Sequence, residues 1–394
     1  MTKFKKVLLF CHRWLGFISG LVVFIVALTG CIFCFQDEIQ DAMYSHRHLV
    51  RQSSGYLPPS AMVASVKKAY PKATSDFIYY FGEERPAGVY ANMGKDGFEI
   101  VFLDPYTAKI THHEKPQNNF FTIVEYIHLY LLLPPAIGSW VVGGSTIVFI
   151  VIMITGIILW WPKRKSDRKR SFTIKWGGRW RRINYDLHNV LGFYATSIAI
   201  ILALTGLAIA FQPVSRAIYN TANLGSVDYD KEVTEPKSDS LKRSGLAKEP
   251  VIDIAFAYAR KHVPEAEMFL IHNDPAVSGA IGVGGYAKSM HYSHATGFEF
   301  DKYSGKLLKE YIYEKKSAGL KLNEMNYDIH VGQIGGITTK IIAFLASLIC
   351  ASLPITGFII WLGKRKKTKK AKTKPERTTS HRKTHRHLQV KPGA

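Results

Sequence analysis

Cysteine is scarce in this chain and badly placed for a disulfide framework. Cys11, Cys31, Cys34 and Cys350 all fall in or beside apolar runs, so no disulfides are expected in the polar segments between the runs. There is no CxxCH, so covalent c-type haem attachment is not expected. No dinucleotide glycine motif stands between a strand-like and a helix-like stretch; GVGGYA at 282–287 lies in a polar segment and reads as a turn. Acidic residues are missing from every apolar run. Without an intramembrane carboxylate or a broken core helix, the runs make a poor transport path, which weighs against a permease.

What is present is four long apolar runs, at 7–35, 136–161, 190–211 and 337–362. Each has about the length needed to span a hydrocarbon core. The first is too long for a signal peptide, and TGCIFCFQDEI is a poor cleavage site. Positive charge is concentrated beside these runs. Residues 1–6, 163–182 and 364–394 carry net +3, +9 and +12, leaving −2 for the rest of a chain whose formal charge is +22. That distribution predicts a lipid bilayer as the partner, and no nucleic acid. By the positive-inside rule both termini and loop 163–182 are cytoplasmic, and 37–135 and 213–336 lie outside.

The runs repeat. HRWLGFISGLVVFIVALTGCIFCFQ from His12 matches HNVLGFYATSIAIILALTGLAIAFQ from His188, with LGF, ALTG and FQ at one constant offset. The second and fourth runs echo each other through IH (127–128, 329–330), ITG (154–156, 355–357) and the tryptophans Trp160 and Trp361. The outer segments match as well. Each has an amphipathic helical stretch (PSAMVASVKKAYP; PVIDIAFAYARKHVPEAE), then β-rich stretches around Asp-x-Tyr-[Thr/Ser]-x-Lys, a hairpin signature. The expected fold is an α-helical membrane protein with four transmembrane helices in two parallel repeats, each with a small outer α+β domain. The expected order is span 7–36, domain 37–117, interfacial helix and span 118–161, basic loop 162–183 and span 184–212. Domain 213–320, interfacial segment and span 321–362 and basic tail 363–394 follow. The break after the interfacial helix is placed at Pro134-Pro135.

This order sorts the histidines into two layers. His12 and His188 lie near the cytoplasmic face; His128 and His330 lie near the outer face. His188 to Gln212 is about 36 Å of helix, so the layers bracket the bilayer. Ionisable groups at such depths are functional by default. Imidazole is the usual axial ligand of b-type haem, and two imidazoles from two helices can grip one iron, which predicts two b-type haems. Gly16, Gly20, Gly30, Gly192 and Gly206 could make room for the macrocycles or serve ordinary helix packing. His46, His48, His112, His113, His262 and His272 read as soluble-domain residues, His291 and His294 as possible substrate contacts, and His381, His385 and His387 as tail. NYDLH (184–188) and NYDIH (326–330) both end in one of the four, with Asn read as a helix cap and Asp as a first-turn acid. Arg179, Arg181 and Arg182, near His188, could pair with propionates or serve topology alone.

HRWLGF…ALTG, DLHNVLGF…ALTG, the paired Asp-x-Tyr-[Thr/Ser]-x-Lys hairpins and ITGIILWWPKR resemble the PepSY-associated transmembrane family over nearly the whole chain, the tail after 364 excepted. The resemblance implies bacterial inner-membrane haem proteins that reduce Fe(III)-siderophores on the periplasmic side, with His12, His128, His188 and His330 as haem ligands and PepSY-like outer domains. Some members append a flavin or nicotinamide domain, and no such motif is present here. A separate cytoplasmic reductase or a quinol would then be the electron donor. Tyr79, Tyr80, Tyr90, Tyr286 and Tyr292 are candidate docking residues on the outer domains. A permease for siderophore or iron, and a haem-free scaffold or regulatory protein, are the competing readings.

Overall fold

The computed structural model describes residues 2–239 and 246–372; the tail beyond, with His381, His385 and His387, lies outside the described residues. Among the described residues, four helices are long and apolar enough to cross a membrane: Lys3–Phe33, Pro135–Trp160, Trp180–Ala210 and Ile337–Lys364. The first span packs against the second and fourth, and the third packs against the same two. Small residues set these contacts, as is usual where lipid gives no hydrophobic drive between helices. A Cβ added at Gly20 would touch Pro354, and one at Gly143 would overlap the Phe211 ring. Met153, Ala195, Ala199 and Cys350 form a buried knot between the second, third and fourth spans. Ile18, Leu21 and Trp140 stay more than two-thirds exposed on the outside of the bundle, where a lipid environment suits them.

The second and fourth spans have interrupted approaches; Asn326–His330 and the turn Gln333–Gly335 precede the fourth. A short helix, Phe120–Tyr130, precedes the second span, and Asn119 caps it by accepting from the Phe121 and Thr122 amides. Left-handed Leu131 and Leu132 then turn the chain into Pro134-Pro135. The third span, expected unbroken, carries a π-helical turn at Leu187–Leu191 that contains His188. Such turns shift the side-chain register and concentrate at functional positions.

The outer segments do not form two separate domains. They build one antiparallel sheet of eight strands, in the order β4-β3-β2-β1-β5-β6-β7-β8. The strands are β1 Thr74–Tyr80, β2 Ala87–Asn92, β3 Phe98–Leu103, β4 Ile110–Glu114, β5 Met268–Asn273, β6 Ala280–Tyr286, β7 Ala295–Asp301 and β8 Leu307–Tyr311. The halves meet where β1 pairs with β5, with Ile78 opposite Ile271 and Tyr80 opposite Phe269. A four-stranded half alone would leave these central strands as unpaired apolar edges, and fusion removes both edges. Helices Pro59–Ala69 and Val251–His262 cover one face and share a single core, including Met62, Val66, Ile78, Val89, Phe256, Ile271 and Phe298. The Ser60 amide donates to Asp253 at 2.8 Å and ties one helix to the other.

The Asp-x-Tyr-[Thr/Ser]-x-Lys signatures are the β3–β4 and β7–β8 turns. Asp104 accepts from the Tyr106 amide, and Asp301 from the amides of Tyr303 and Ser304. GVGGYA is not a turn but most of β6. Glycine is needed there because a Cβ at Gly282 would overlap the His272 ring on β5, and one at Gly285 would crowd Ala266 and Phe269. Tyr80 is not a docking residue either. It is fully buried in the helix-covered core and donates to the Leu57 carbonyl at 2.8 Å. Tyr79, Tyr90, Tyr286 and Tyr292 line the opposite face, around Phe81, Phe102 and Met268. That face looks toward the spans.

Candidate functional site

Each of the four singled-out histidines is seated on a Thr-Gly step of a span. His12 Nδ1 lies 3.0 Å from Thr155 Oγ1, and His188 Nδ1 lies 2.9 Å from Thr356 Oγ1. His128 Nδ1 lies 3.1 Å from Thr29 Oγ1, and His330 Nδ1 lies 3.0 Å from Thr205 Oγ1. Each threonine hydroxyl also bonds back to its own helix, as Thr29 does to Ile25, Thr155 to Ile152, Thr205 to Ile201 and Thr356 to Ser352. With the hydroxyl proton so used, its oxygen accepts from imidazole Nδ1–H. That fixes the tautomer and leaves the Nε2 lone pair for a ligand, the state metal binding by imidazole would require.

The glycine after each threonine lets the ring lie against the helix. A Cβ at Gly30, Gly156, Gly206 or Gly357 would come within 3.3, 3.2, 2.9 or 3.2 Å of Cε1 of His128, His12, His330 or His188 respectively. Gly30 and Gly206 therefore seat imidazoles. Gly16, Gly20 and Gly192 instead line the inner cavity described below. The exchange is reciprocal: the first span's His12 uses the second span's Thr155, and His128, ahead of the second span, uses the first span's Thr29. The second half does the same with His188 on Thr356 and His330 on Thr205. Sequence reasoning used ALTG and ITG only as repeat markers and missed their threonines. The signal was present, since Thr-Gly occurs once near one end of each run.

The near-identical pentapeptides share one construction on opposite sides of the bundle. Their asparagines do not cap helices. Asn184 donates to the Thr356 carbonyl at 3.0 Å, and Asn326 donates to the Thr205 carbonyl at 3.2 Å. Asn and His, one helical turn apart, thus clamp the same threonine of the facing span. The aspartates pin neighbouring loops. Asp186 accepts from the Lys175 amide and Arg182 Nε, while Asp328 accepts from the amides of Tyr292 and Ser293 and from Gln333. Both carboxylates are buried. The tyrosines point to space: Tyr185 lines the inner cavity and Tyr327 lines the outer one.

The inner layer opens into a cavity of about 970 Å³ among all four spans, lined by both His12 and His188. Phe17, Phe193, Trp160 and Trp361 contribute flat apolar walls, and Lys5, Arg13, Lys163 and Lys364 bring positive charge. Arg13 Nε is buried with no hydrogen-bond partner among the described residues. A planar apolar ring system with anionic side groups fits these features: two facing imidazoles for a metal, aromatic walls, glycine gaps and a cation in want of an acceptor. Arg179, Arg181 and Arg182 do not line the cavity, and Arg182 is bound to Asp186 at 2.7 Å.

In the outer layer the two rings are neighbours. The His128 and His330 rings lie 6.0 Å apart, centre to centre, with planes 64° apart. Two imidazoles bound to one metal at about 2 Å sit with centres about 6 Å apart, so His128 and His330 would hold a shared metal without a change in this spacing. Between this layer and the sheet lies a second cavity of about 320 Å³, lined by Asp37, Arg47, Arg85, Tyr90, Phe102, Glu114, Glu125, Tyr292 and Tyr327 among others. Burial pushes the carboxyls of Asp37 and Glu125 up, and Arg47, 3.3 Å from Asp37, partly offsets this at Asp37. His291 bonds to the Ser289 carbonyl and His294 packs on Tyr313; neither lines this cavity.

No curated protein matches the chain. The model of the PepSY-associated TM region matches residues 9–364, a stretch that includes all four histidines, all four Thr-Gly steps and the whole sheet. With four spanning helices and that match, the chain is a multi-pass membrane protein of the PepSY-associated transmembrane family.

Proposed function

We propose that this protein is a di-haem ferric-siderophore reductase of the bacterial inner membrane. In this reading both termini are cytoplasmic, the sheet is periplasmic, and the spans form two parallel repeats. His12 and His188 would hold an inner b-type haem, and His128 and His330 an outer one. Bound haem supplies one-electron exchange between the ferrous and ferric states of its iron. The protein's own residues do the rest. Four threonines orient the imidazoles, the aromatic and glycine walls exclude water from the inner cavity, and Arg13 offers a cation for a propionate. One electron enters from a cytoplasmic reductase or a quinol and one leaves to periplasmic Fe(III), which siderophores hold far more tightly than Fe(II). The outer cavity, between His128, His330 and the tyrosine-rich sheet face, is the place for that acceptor.

The observation that carries this reading is the fourfold Thr-Gly seat, which presents two Nε2 atoms at each of two depths. The test mixes anaerobic, dithionite-reduced protein with an Fe(III)-siderophore and an Fe(II) trap. Haem reoxidation matched by trapped Fe(II) is expected, and His128→Ala should slow it sharply. Absence of a Soret band in the purified protein, or reoxidation by oxygen alone with no trapped Fe(II), would reject the reading.

A further inference from the structure

Three side chains outside the histidine layers come together at the edge of the sheet. His112 and Glu114 are two residues apart on edge strand β4, so they share a face. That face is the one carrying Phe102, which pairs with His112 in register and looks toward the spans. His46 reaches the same spot from the turn Ser45–Arg47, which follows the first span in the chain. Its ring stacks on His112 at 3.7 Å with planes 17° apart. One ligand atom each from His46, His112 and Glu114 lies within 4.8 Å of the others.

The surroundings favour a ligand role. Tyr44 and Phe102 flank the His46 ring with centroids 5.6 and 5.4 Å away, and Phe102 also packs on His112. No ring nitrogen of His46 or His112 has a hydrogen-bond partner among the described residues, although both rings are half-buried. Glu114 is oriented by Asn119, whose Nδ2 donates to one carboxylate oxygen at 3.1 Å, and the other oxygen remains available. Arg47, next to His46, is matched by Asp37 and Asp41, and Lys115, next to Glu114, is paired with Glu99 at 3.2 Å, so neither is matched to Glu114. Glu114, Phe102 and Arg47 also line the outer cavity, so the cluster stands at its rim.

We propose that His46, His112 and Glu114 form a binding site for a first-row divalent metal ion at the rim of the outer cavity. Two neutral imidazoles and one carboxylate give a site of charge −1 with open positions, the donor set that first-row cations favour and that magnesium and calcium do not. Bonds of about 2.0–2.2 Å need donors about 3.3 Å apart, so the three groups would close by at most about 1.5 Å on binding, a side-chain adjustment. Beside the acceptor cavity, the ion to be expected is the Fe(II) set free there; this assignment alone rests on the reductase reading.

The test uses the full-length haem-loaded protein with His381, His385 and His387 changed to alanine, so that tail imidazoles do not bind the probe. Anaerobic titration with Co(II) should show one bound equivalent with visible ligand-field bands. His46→Ala and His112→Ala should each weaken Co(II) at least tenfold, and Glu114→Gln, which preserves shape, should weaken it about tenfold. His262→Ala, on the exposed helix end, should leave it unchanged. Haem content and spectrum, recorded on every variant, should stay the same and certify folding. Equal Co(II) binding in wild type and Glu114→Gln, or no stoichiometric binding, overturns the site. Displacement of Co(II) by excess Fe(II) supports the iron assignment, and failure of Fe(II) to displace it overturns that assignment. The siderophore assay above reads neither quantity, so the two proposals fail separately.

Discussion

The two histidine layers are made from the same parts and end up in different surroundings. At the inner layer His12 and His188 face a cavity of about 970 Å³; at the outer layer His128 and His330 stand 6.0 Å apart. The seat of each ring is nearly identical, a Thr-Gly step with Nδ1 about 3 Å from the hydroxyl. Local chemistry therefore fixes the tautomer and tilt of an imidazole, while the spread of the helices fixes what fits between two of them. The layers also differ in how their histidines are carried. His12 and His188 belong to spanning helices, the latter in a π-helical turn. His128 and His330 sit on short helices, Phe120–Tyr130 and Asn326–His330, that lie between the spans and the sheet.

If the layers are independent sites, breaking one spares the other. His12→Ala and His188→Ala should each halve the haem per chain and leave one bis-imidazole spectrum, and His330→Ala should remove the other haem. Pigment quantitation with low-temperature spectra checks this. Full haem content in all three variants would dissolve the pairing.

The pentapeptides allow a second cut. Asp328 satisfies two backbone amides and Gln333 from full burial, whereas Asp186 serves one amide and Arg182. Asp328→Ala should cost on the order of 3–5 kcal/mol and loosen the Tyr292–Ser293 loop, and Asp186→Ala roughly half that. Thermal unfolding of detergent-solubilised protein should rank them in this order. The reverse ranking would mean that the basic loop, not the sheet, depends more on its pin.

A smaller effect sharpens the shared seat. Nδ1–H of His330 and His188 also reaches the Leu202 and Leu353 carbonyls, so losing the hydroxyl removes one of two acceptors and lowers ligand basicity; Thr205→Val should raise the outer potential and Thr356→Val the inner one. The expected rise is on the order of 20–60 mV. Each variant should move one wave of a redox titration and leave the other. If both waves move together, the two sites are coupled through the bundle.

Outside the layers, Glu299 on β7 gives a pH test. Burial and the nearby Glu235 push its carboxyl from 4.5 up to about 7, with Lys309 opposing, and His272 lies 3.8 Å away. The folded state thus prefers protonated Glu299. Its stabilising effect is present below pH 4.5 and is lost as pH rises through 7, a change on the order of 1–3 kcal/mol. Glu299→Gln should remove that decline from the unfolding midpoint between pH 5 and 8. A wild-type slope that persists in the variant would assign it to another group.

Four spans, their order, the short helix that bears His128 ahead of the second span, and four histidines at equivalent places in the two halves were legible in the sequence. All of these are one-dimensional properties: run length, charge beside a run, and distance along a helix. The sequence also displayed every Thr-Gly step, but adjacency in sequence could not say that Thr155 belongs to His12 or Thr356 to His188, 143 and 168 residues apart. Asn184 and Asn326 looked like caps because a cap is a local device, and their true partners lie on a facing helix. GVGGYA looked like a turn because glycine is read locally as conformational freedom, whereas β6 needs it as space for His272. That two outer segments become one sheet emerges first from the pairing of strands far apart in the chain. Strand pairing between β1 and β5 joins residues nearly two hundred apart and depends on two edges satisfying each other, which no pattern within either segment records.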